Sequence, residues 1–238
     1  MIHQEASEKK IEIAEIFSSL QGEGPRLGEK HLFVRFPVCN LHCHYCDEMG
    51  HEPVEMDMKT LLERVRTLER QDGPHAFISL TGGEPLLYPA VIKDLASALQ
   101  LEGFRFYLET SGFLVKALEE VIDCLDFISM DVKLPSVTKD RDCLAEHRAF
   151  LQAIQGTENY VKMVVSPDIC REEFMAAVAM IHQVNPATLL VLQPMTVGEE
   201  KYIDKELMAI LTELQSVALG WLDNVRIVPR LHKVLGVK

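Results

Sequence analysis

"HLFVRFPVCNLHCHYC", residues 31–46, runs a β-rich stretch straight into a loop holding Cys39, Cys43 and Cys46. Its first six residues, mixing aromatic and branched apolar side chains, read as a strand. The same arrangement recurs down the chain. "AFISLT" (76–81) leads into "GGEP", "FRFYLE" (104–109) into "TSG", and "DFISMDV" (126–132) into "KLP". "YVKMVV" (160–165), "TLLVLQP" (188–194) and "NVRIVP" (224–229) are further strand-like runs. Between them lie apolar residues at helical spacing: Leu61, Leu62, Val65 and Leu68, and later Phe174, Ala177, Val178, Ile181 and Val184. Strands alternating with helices predict βαβ units and a parallel sheet. The expected fold is α/β, a partial (β/α)6 TIM-like barrel. A single domain, 1–238, is expected because no linker-like or low-complexity segment divides the chain. In such barrels chemistry gathers at the C-terminal ends of the strands, and the polar motifs fall there.

The chain has 238 residues, 47% of them apolar, enough to bury a large core without disulfides or a structural metal. A formal net charge of -12 argues against a nucleic-acid surface, which needs clustered Lys and Arg. The start, "MIHQEASEKKIEIAEI", has no apolar signal core, and no apolar run is long enough to span a bilayer. A cytoplasmic protein with neither nucleic-acid nor membrane partner is expected. In a reducing compartment six cysteines are not expected to form disulfides, so a tight cluster points to metal binding or catalysis. Cys124, Cys143 and Cys170 are scattered and are expected to be small buried hydrophobes.

The cysteine loop admits two readings. A closed zinc site would need a fourth ligand, His42 or His44, and would make the chain a zinc-stabilised binding module. No second Cys-x2-Cys and no finger-spaced His pair follows downstream. Iron–sulfur clusters normally take four thiolates, so three at this spacing leave one iron open to a small molecule.

The Cys-x3-Cys-x2-Cys spacing, with Tyr45 before the last cysteine, resembles the signature of the radical S-adenosylmethionine (SAM) enzymes. The resemblance implies a [4Fe-4S] cluster on Cys39, Cys43 and Cys46, whose open iron is chelated by the amino and carboxylate groups of SAM. One electron, from a donor such as flavodoxin or ferredoxin, then cleaves SAM to a 5′-deoxyadenosyl radical. It also implies SAM contacts from Tyr45, from Gly82, Gly83 and Glu84 of "TGGEP" (81–85), and from Ser111 of "ETSG" (109–112). Glu84 would pair with the SAM ammonium. Ser129 and Lys133 of "SMDVKLP" (129–135) and Gln193 of "LQPM" (192–195) complete the set. From the residues alone, Ser129, Asp131 and Lys133 share one strand face and should line a site mouth, with a buried ion pair as the competing reading.

"SLQGEGPRLGEKHLFVRFPVCNLHCHYCD" (19–47), with Gln-Gly-Glu-Gly and an Arg four residues before the first cysteine, resembles the 7-carboxy-7-deazaguanine synthases. "VRIVPRLHKVLGVK" (225–238) is similar to the C-terminal segment of many members. This resemblance implies a radical ring contraction of 6-carboxy-5,6,7,8-tetrahydropterin to 7-carboxy-7-deazaguanine and ammonia, with Mg2+, in a homodimer. A substrate-binding segment is expected at about 11–30 and a C-terminal extension at about 220–238. Leu20, Gln21, Gly22 and Glu23 would meet the amide-and-guanidine edge of the pterin, Arg35 its carboxylate, and Thr81 and His232 its surroundings. The family usually places Thr or Ser after the Cys-Asp pair as a Mg2+ ligand; here Glu48 follows Asp47, so carboxylates are expected to hold the ion. "SMDVK" likewise departs from the shorter Ser-Pro-Lys of the family. A glycyl-radical-activating enzyme is the rival. It would need an open face for a protein loop and would have no use for Gln21, Glu23 and Arg35.

Overall fold

The computed structural model describes residues 10–46, 52–196 and 203–236. The described strands are β1 (Ile11–Ile13), β2 (Glu15–Leu20), β3 (Lys30–Phe36), β4 (Val54–Met56) and β5 (Phe77–Gly82). They continue with β6 (Phe106–Thr110), β7 (Phe127–Asp131), β8 (Glu158–Val165), β9 (Leu190–Pro194) and β10 (Val225–Ile227). The helices are α1 (Met58–Asp72), α2 (Pro89–Leu99), α3 (Val115–Val121), α4 (Pro135–Thr138), α5 (Leu144–Ala153), α6 (Arg171–Val184), α7 (Lys205–Ala218) and α8 (Leu231–Leu235).

One sheet runs in the order β10-β9-β8-β7-β6-β5-β3-β2, parallel throughout except that β2 pairs antiparallel with β3. The two end strands do not meet in the pairing, so the barrel is partial. β1 and β4 form a separate antiparallel pair. Helix ends are set locally. Asp57 caps α1 by accepting from the Thr60 amide at 2.7 Å, and Asp204 caps α7 by accepting from Glu206 and Leu207.

Period-two alternation sorts the strand residues into two sets. Leu32, Val34, Ile78, Leu80, Leu108, Ile128, Met130, Val161, Met163, Leu190 and Leu192 pack with helix residues such as Leu61, Val65, Leu95 and Phe174 in the main core. The alternate set begins with Phe77, Tyr107, Phe127, Tyr160 and Val191, which cluster as an apolar floor inside the barrel. The Tyr107 and Phe127 rings stack with centroids 4.9 Å apart, and the Arg26 guanidinium lies 4.9 Å from the Phe127 centroid. Further along the strands on the same face, Ser79 and Ser129 are buried, and Thr81, Glu109, Asp131, Lys162 and Gln193 line a cavity at the mouth.

The seven strands expected from the sequence all form. Four of them are shorter than expected: "FRFYLE" is extended over Phe106–Thr110, "DFISMDV" over Phe127–Asp131, "TLLVLQP" over Leu190–Pro194 and "NVRIVP" over Val225–Ile227. Two features escape the sequence pattern. β2 is a strand whose six residues are all half-buried, so it shows no alternation, and β1 and β4 are only three residues each. Cys143 is fully buried as expected, but Cys124 and Cys170 are only half-buried because they sit at helix ends, where the chain returns to the surface. No helix among the described residues is long and apolar enough to cross a membrane.

Candidate active site

A cavity of about 570 Å3 opens at the C-terminal ends of the parallel strands. Among the described residues, every expected site residue except Glu84 lines it. Asp47 and Glu48, expected to bind Mg2+, lie outside the described residues.

The cysteine loop follows β3. Cys39 and Cys43 are half-buried and Cys46 is exposed, and Cys39 and Cys43 pack against Leu41, Phe113 and Cys143. Two loop amides are tied to the end of α4 and the residues after it: His44 donates to the Thr138 carbonyl at 2.9 Å and His42 to Asp140 Oδ2 at 2.8 Å. Burial pushes the Cys43 thiol up to about 11, partly opposed by Lys133, so metal binding there must displace protons. Three soft sulfur donors from one tethered loop line the cavity, the donor chemistry that iron–sulfur clusters take.

The "TGGEP" segment presses on this loop. A Cβ at Gly83 would lie 2.1 Å from the Val38 carbonyl oxygen and 2.8 Å from the Cys39 nitrogen, so no other residue fits. Glu84 is fully buried, and its oxygens accept from Thr110 Oγ1 at 2.8 Å, from the Ser111 amide at 2.8 Å, from the Ser111 hydroxyl, and from the Leu86 amide at 3.1 Å. Burial raises its pKa, and the Ser111 hydrogen bonds hold back part of that rise. The carboxylate therefore clamps the ends of β5 and β6 together and does not line the cavity. The family resemblance predicts that Glu84 pairs with a SAM ammonium; in the structure its donors come from the adjacent strand end.

Asp131 at the end of β7 and Lys133 just after it line the same cavity as Ser129, but at different depths. Ser129 lies beside the Tyr107 and Tyr160 hydroxyls, whereas Asp131 Oδ2 accepts from Lys133 Nζ at 2.8 Å at the mouth. Lys133 also lies 3.4 Å from the Tyr45 hydroxyl, which ties β7 to the cysteine loop. Asp131 Oδ1 and Gln193 Oε1 are buried and take no hydrogen bond from the protein.

Gln-Gly-Glu-Gly is not a surface turn. Gln21 is 2% exposed; its amide donates to Glu109 Oε1 at 2.8 Å and accepts from the Glu23 amide at 3.0 Å. A Cβ at Gly22 would lie 2.0 Å from His232 Nδ1, so glycine lets the C-terminal segment close on this loop, and Leu231 donates to the Gly22 carbonyl at 2.8 Å. Arg35 pairs with Glu15 at 3.4 Å and lies over the Phe17 ring at 5.1 Å. Thr81 donates to Glu109 Oε2 at 2.7 Å. Burial raises the Glu109 pKa, and the neighbouring Glu23 charge raises it further.

Sequence reasoning missed Glu109, Lys162 and Arg230 as site residues and noted Asp131 without assigning it. All four line the cavity. Lys162 donates to Glu23 Oε2 at 2.6 Å and lies 3.2 Å from Asp131 Oδ2. The available signal was a lone lysine inside "YVKMVV" (160–165).

The radical SAM superfamily profile matches residues 33–206. The 7-carboxy-7-deazaguanine synthase of Geobacter sulfurreducens is 35% identical over 250 residues, covering 97% of this chain and 99% of its own. That of Methanopyrus kandleri is 32% identical, covering 94% and 93%. The crystal structure of QueE from Escherichia coli matches with a TM-score of 0.64 and 18% identity, covering 94% of this chain and 95% of that one, and so shows the shared fold. With its cysteine loop at the mouth of a partial barrel, the chain belongs to the radical SAM superfamily and, within it, to the 7-carboxy-7-deazaguanine synthase family.

Proposed function

We propose that this enzyme converts 6-carboxy-5,6,7,8-tetrahydropterin to 7-carboxy-7-deazaguanine and ammonia, using a [4Fe-4S] cluster, SAM and Mg2+. The observation that carries this reading is one cavity lined both by the cysteine loop and by Gln21, Glu23 and Arg35. Its volume suits a small substrate beside SAM, not a protein loop, which disfavours a glycyl-radical activase.

Cys39, Cys43 and Cys46 would hold the cluster, which when bound would supply the electron for reductive cleavage of SAM. The chain's own residues do the rest. Tyr45, Gly82, Gly83, Ser111, Ser129, Lys133 and Gln193 surround SAM, with Glu84 fixing the loop that carries two of them. Glu23 accepts N–H groups from the guanidine edge of the pterin. Burial works against its charge, but Lys162 at 2.6 Å more than offsets this and holds its pKa below the usual value. Arg35 offers a planar fork to the substrate carboxylate. Leu20, Gly22, Thr81 and His232 close around the ring, while Phe17, Phe33, Leu41 and Val164 keep water from the reacting centre. Asp47 and Glu48 are proposed Mg2+ ligands. A flavodoxin- or ferredoxin-like donor, a homodimer and a cytoplasmic setting complete the proposal. The segments at about 11–30 and about 220–238 serve as substrate-closing extensions of one domain.

Anaerobic incubation of reconstituted enzyme with the pterin, SAM and dithionite, followed by mass spectrometry, tests it. The ring-contracted acid is the expected product; active SAM cleavage with no such product would overturn the assignment.

A further inference from the structure

Glu23 belongs to no regular element. It precedes the short turn Gly24–Arg26, so its own backbone does little to aim its carboxylate. The aim comes from across the barrel. Lys162, in the middle of β8, projects into the interior with its side chain 13% exposed, and its ammonium meets Glu23 Oε2 at 2.6 Å. Gln193 on β9 donates to the other oxygen at 3.2 Å. The same ammonium lies 3.2 Å from Asp131 on β7, but Asp131 has a second cation, Lys133, at 2.8 Å. Removing Lys162 would thus leave Asp131 paired and take from Glu23 the ammonium that touches it.

We propose that Lys162 is a positioning residue of the pterin subsite, holding the Glu23 carboxylate ionised and aimed at the N–H edge of the substrate. This rests on the pterin reading given above. The groups facing Glu23 are Lys162 and Tyr160 on β8, Gln193 on β9, Glu109 on β6, and Arg230 and His232 on the C-terminal segment. Without Lys162, burial and the Glu109 charge both favour a proton on Glu23, opposed by Arg230, His232 and the Gln193 hydrogen bond. A protonated Glu23 is a poorer acceptor for the pterin, so substrate affinity becomes pH-dependent and falls toward acid.

The test uses cluster-loaded enzyme, SAM and 6-carboxytetrahydropterin under anaerobic conditions, with pterin KM, kcat and Kd followed from pH 6 to 8. Lys162→Met should raise the pterin KM by at least about tenfold, lower kcat far less, and add a loss of affinity toward pH 6 that wild type lacks. Lys162→Arg should return the wild-type pH profile, which a purely space-filling role for Lys162 does not predict. The pair Lys162→Met with Glu23→Gln removes both charges and serves if the single variant does not fold. It should bind pterin weakly and independently of pH, and wild-type affinity in it would overturn the proposal. Wild-type KM and pH profile in Lys162→Met would overturn the role of Lys162 alone, whereas wild-type enzyme that binds no pterin would overturn the reading beneath it.

Discussion

The floor and the mouth of the barrel are built from the same strands, a few residues apart, yet they follow opposite rules. At the floor, Phe77, Tyr107, Phe127, Tyr160 and Val191 bury apolar surface against one another. At the mouth, the inward positions on those strands carry Thr81, Glu109, Asp131, Lys162 and Gln193. Burial at the floor is favourable in itself, at about 25 cal/mol per Å2 of apolar surface. Burial at the mouth costs free energy that only pairing offsets, and Glu23, Lys162, Asp131 and Lys133 show that offset in a run of linked charges. The contrast separates what holds this chain together from what it uses for chemistry.

Substitutions can break that division. The largest effect is expected from Cys43→Ala, which should reduce SAM cleavage to background while changing unfolding free energy by about 1 kcal/mol or less, read by iron content and urea denaturation. Phe127→Ala should do the reverse. It is expected to cost about 3–5 kcal/mol in stability, with turnover per folded molecule little changed.

Acid should find the floor next. His31 is fully buried beside Ser79, at 2.7 Å, and burial holds its pKa down at about 4 although Glu29 pulls it up. Its folded pKa lies below the unfolded one, so the unfolded chain protonates first. Stability is therefore full above about pH 6.5 and is lost as pH falls toward 4, by at most about 3 kcal/mol from this group. His31→Gln should flatten that part of the pH–stability curve. The smallest effect is expected from Arg35→Lys, which keeps the charge but loses the fork. Pterin KM should rise about tenfold with uncoupled SAM cleavage retained. An unchanged KM would remove Arg35 from substrate binding.

The same contrast explains what could be read from the sequence. The parallel strands were legible because their helix-facing residues alternate with the rest, as Leu32 and Val34 do with Phe33 and Arg35. The cysteine loop was legible because its ligands are contiguous in the chain. Lys162 was not, because a lysine alternating with Val161 and Met163 looks like the solvent face of a half-buried strand. Only the burial of that face within the partial barrel makes it an interior. Glu84 shows the converse limit: its motif was visible, but its partners Thr110 and Ser111 come from the next strand, and no local pattern announces them. Gln21 and Glu23 stood out by resemblance, while their partners Glu109 and Lys162 lie far along the chain.

The central claim is that this mouth rebuilds a pterin ring around a cleaved SAM. Its most direct test is the ammonia released when reduced, cluster-loaded enzyme meets SAM and 6-carboxytetrahydropterin without oxygen. Ammonia and 7-carboxy-7-deazaguanine should appear in equal amounts, and neither with Cys43→Ala. Consumption of SAM with the pterin recovered intact would contradict the account.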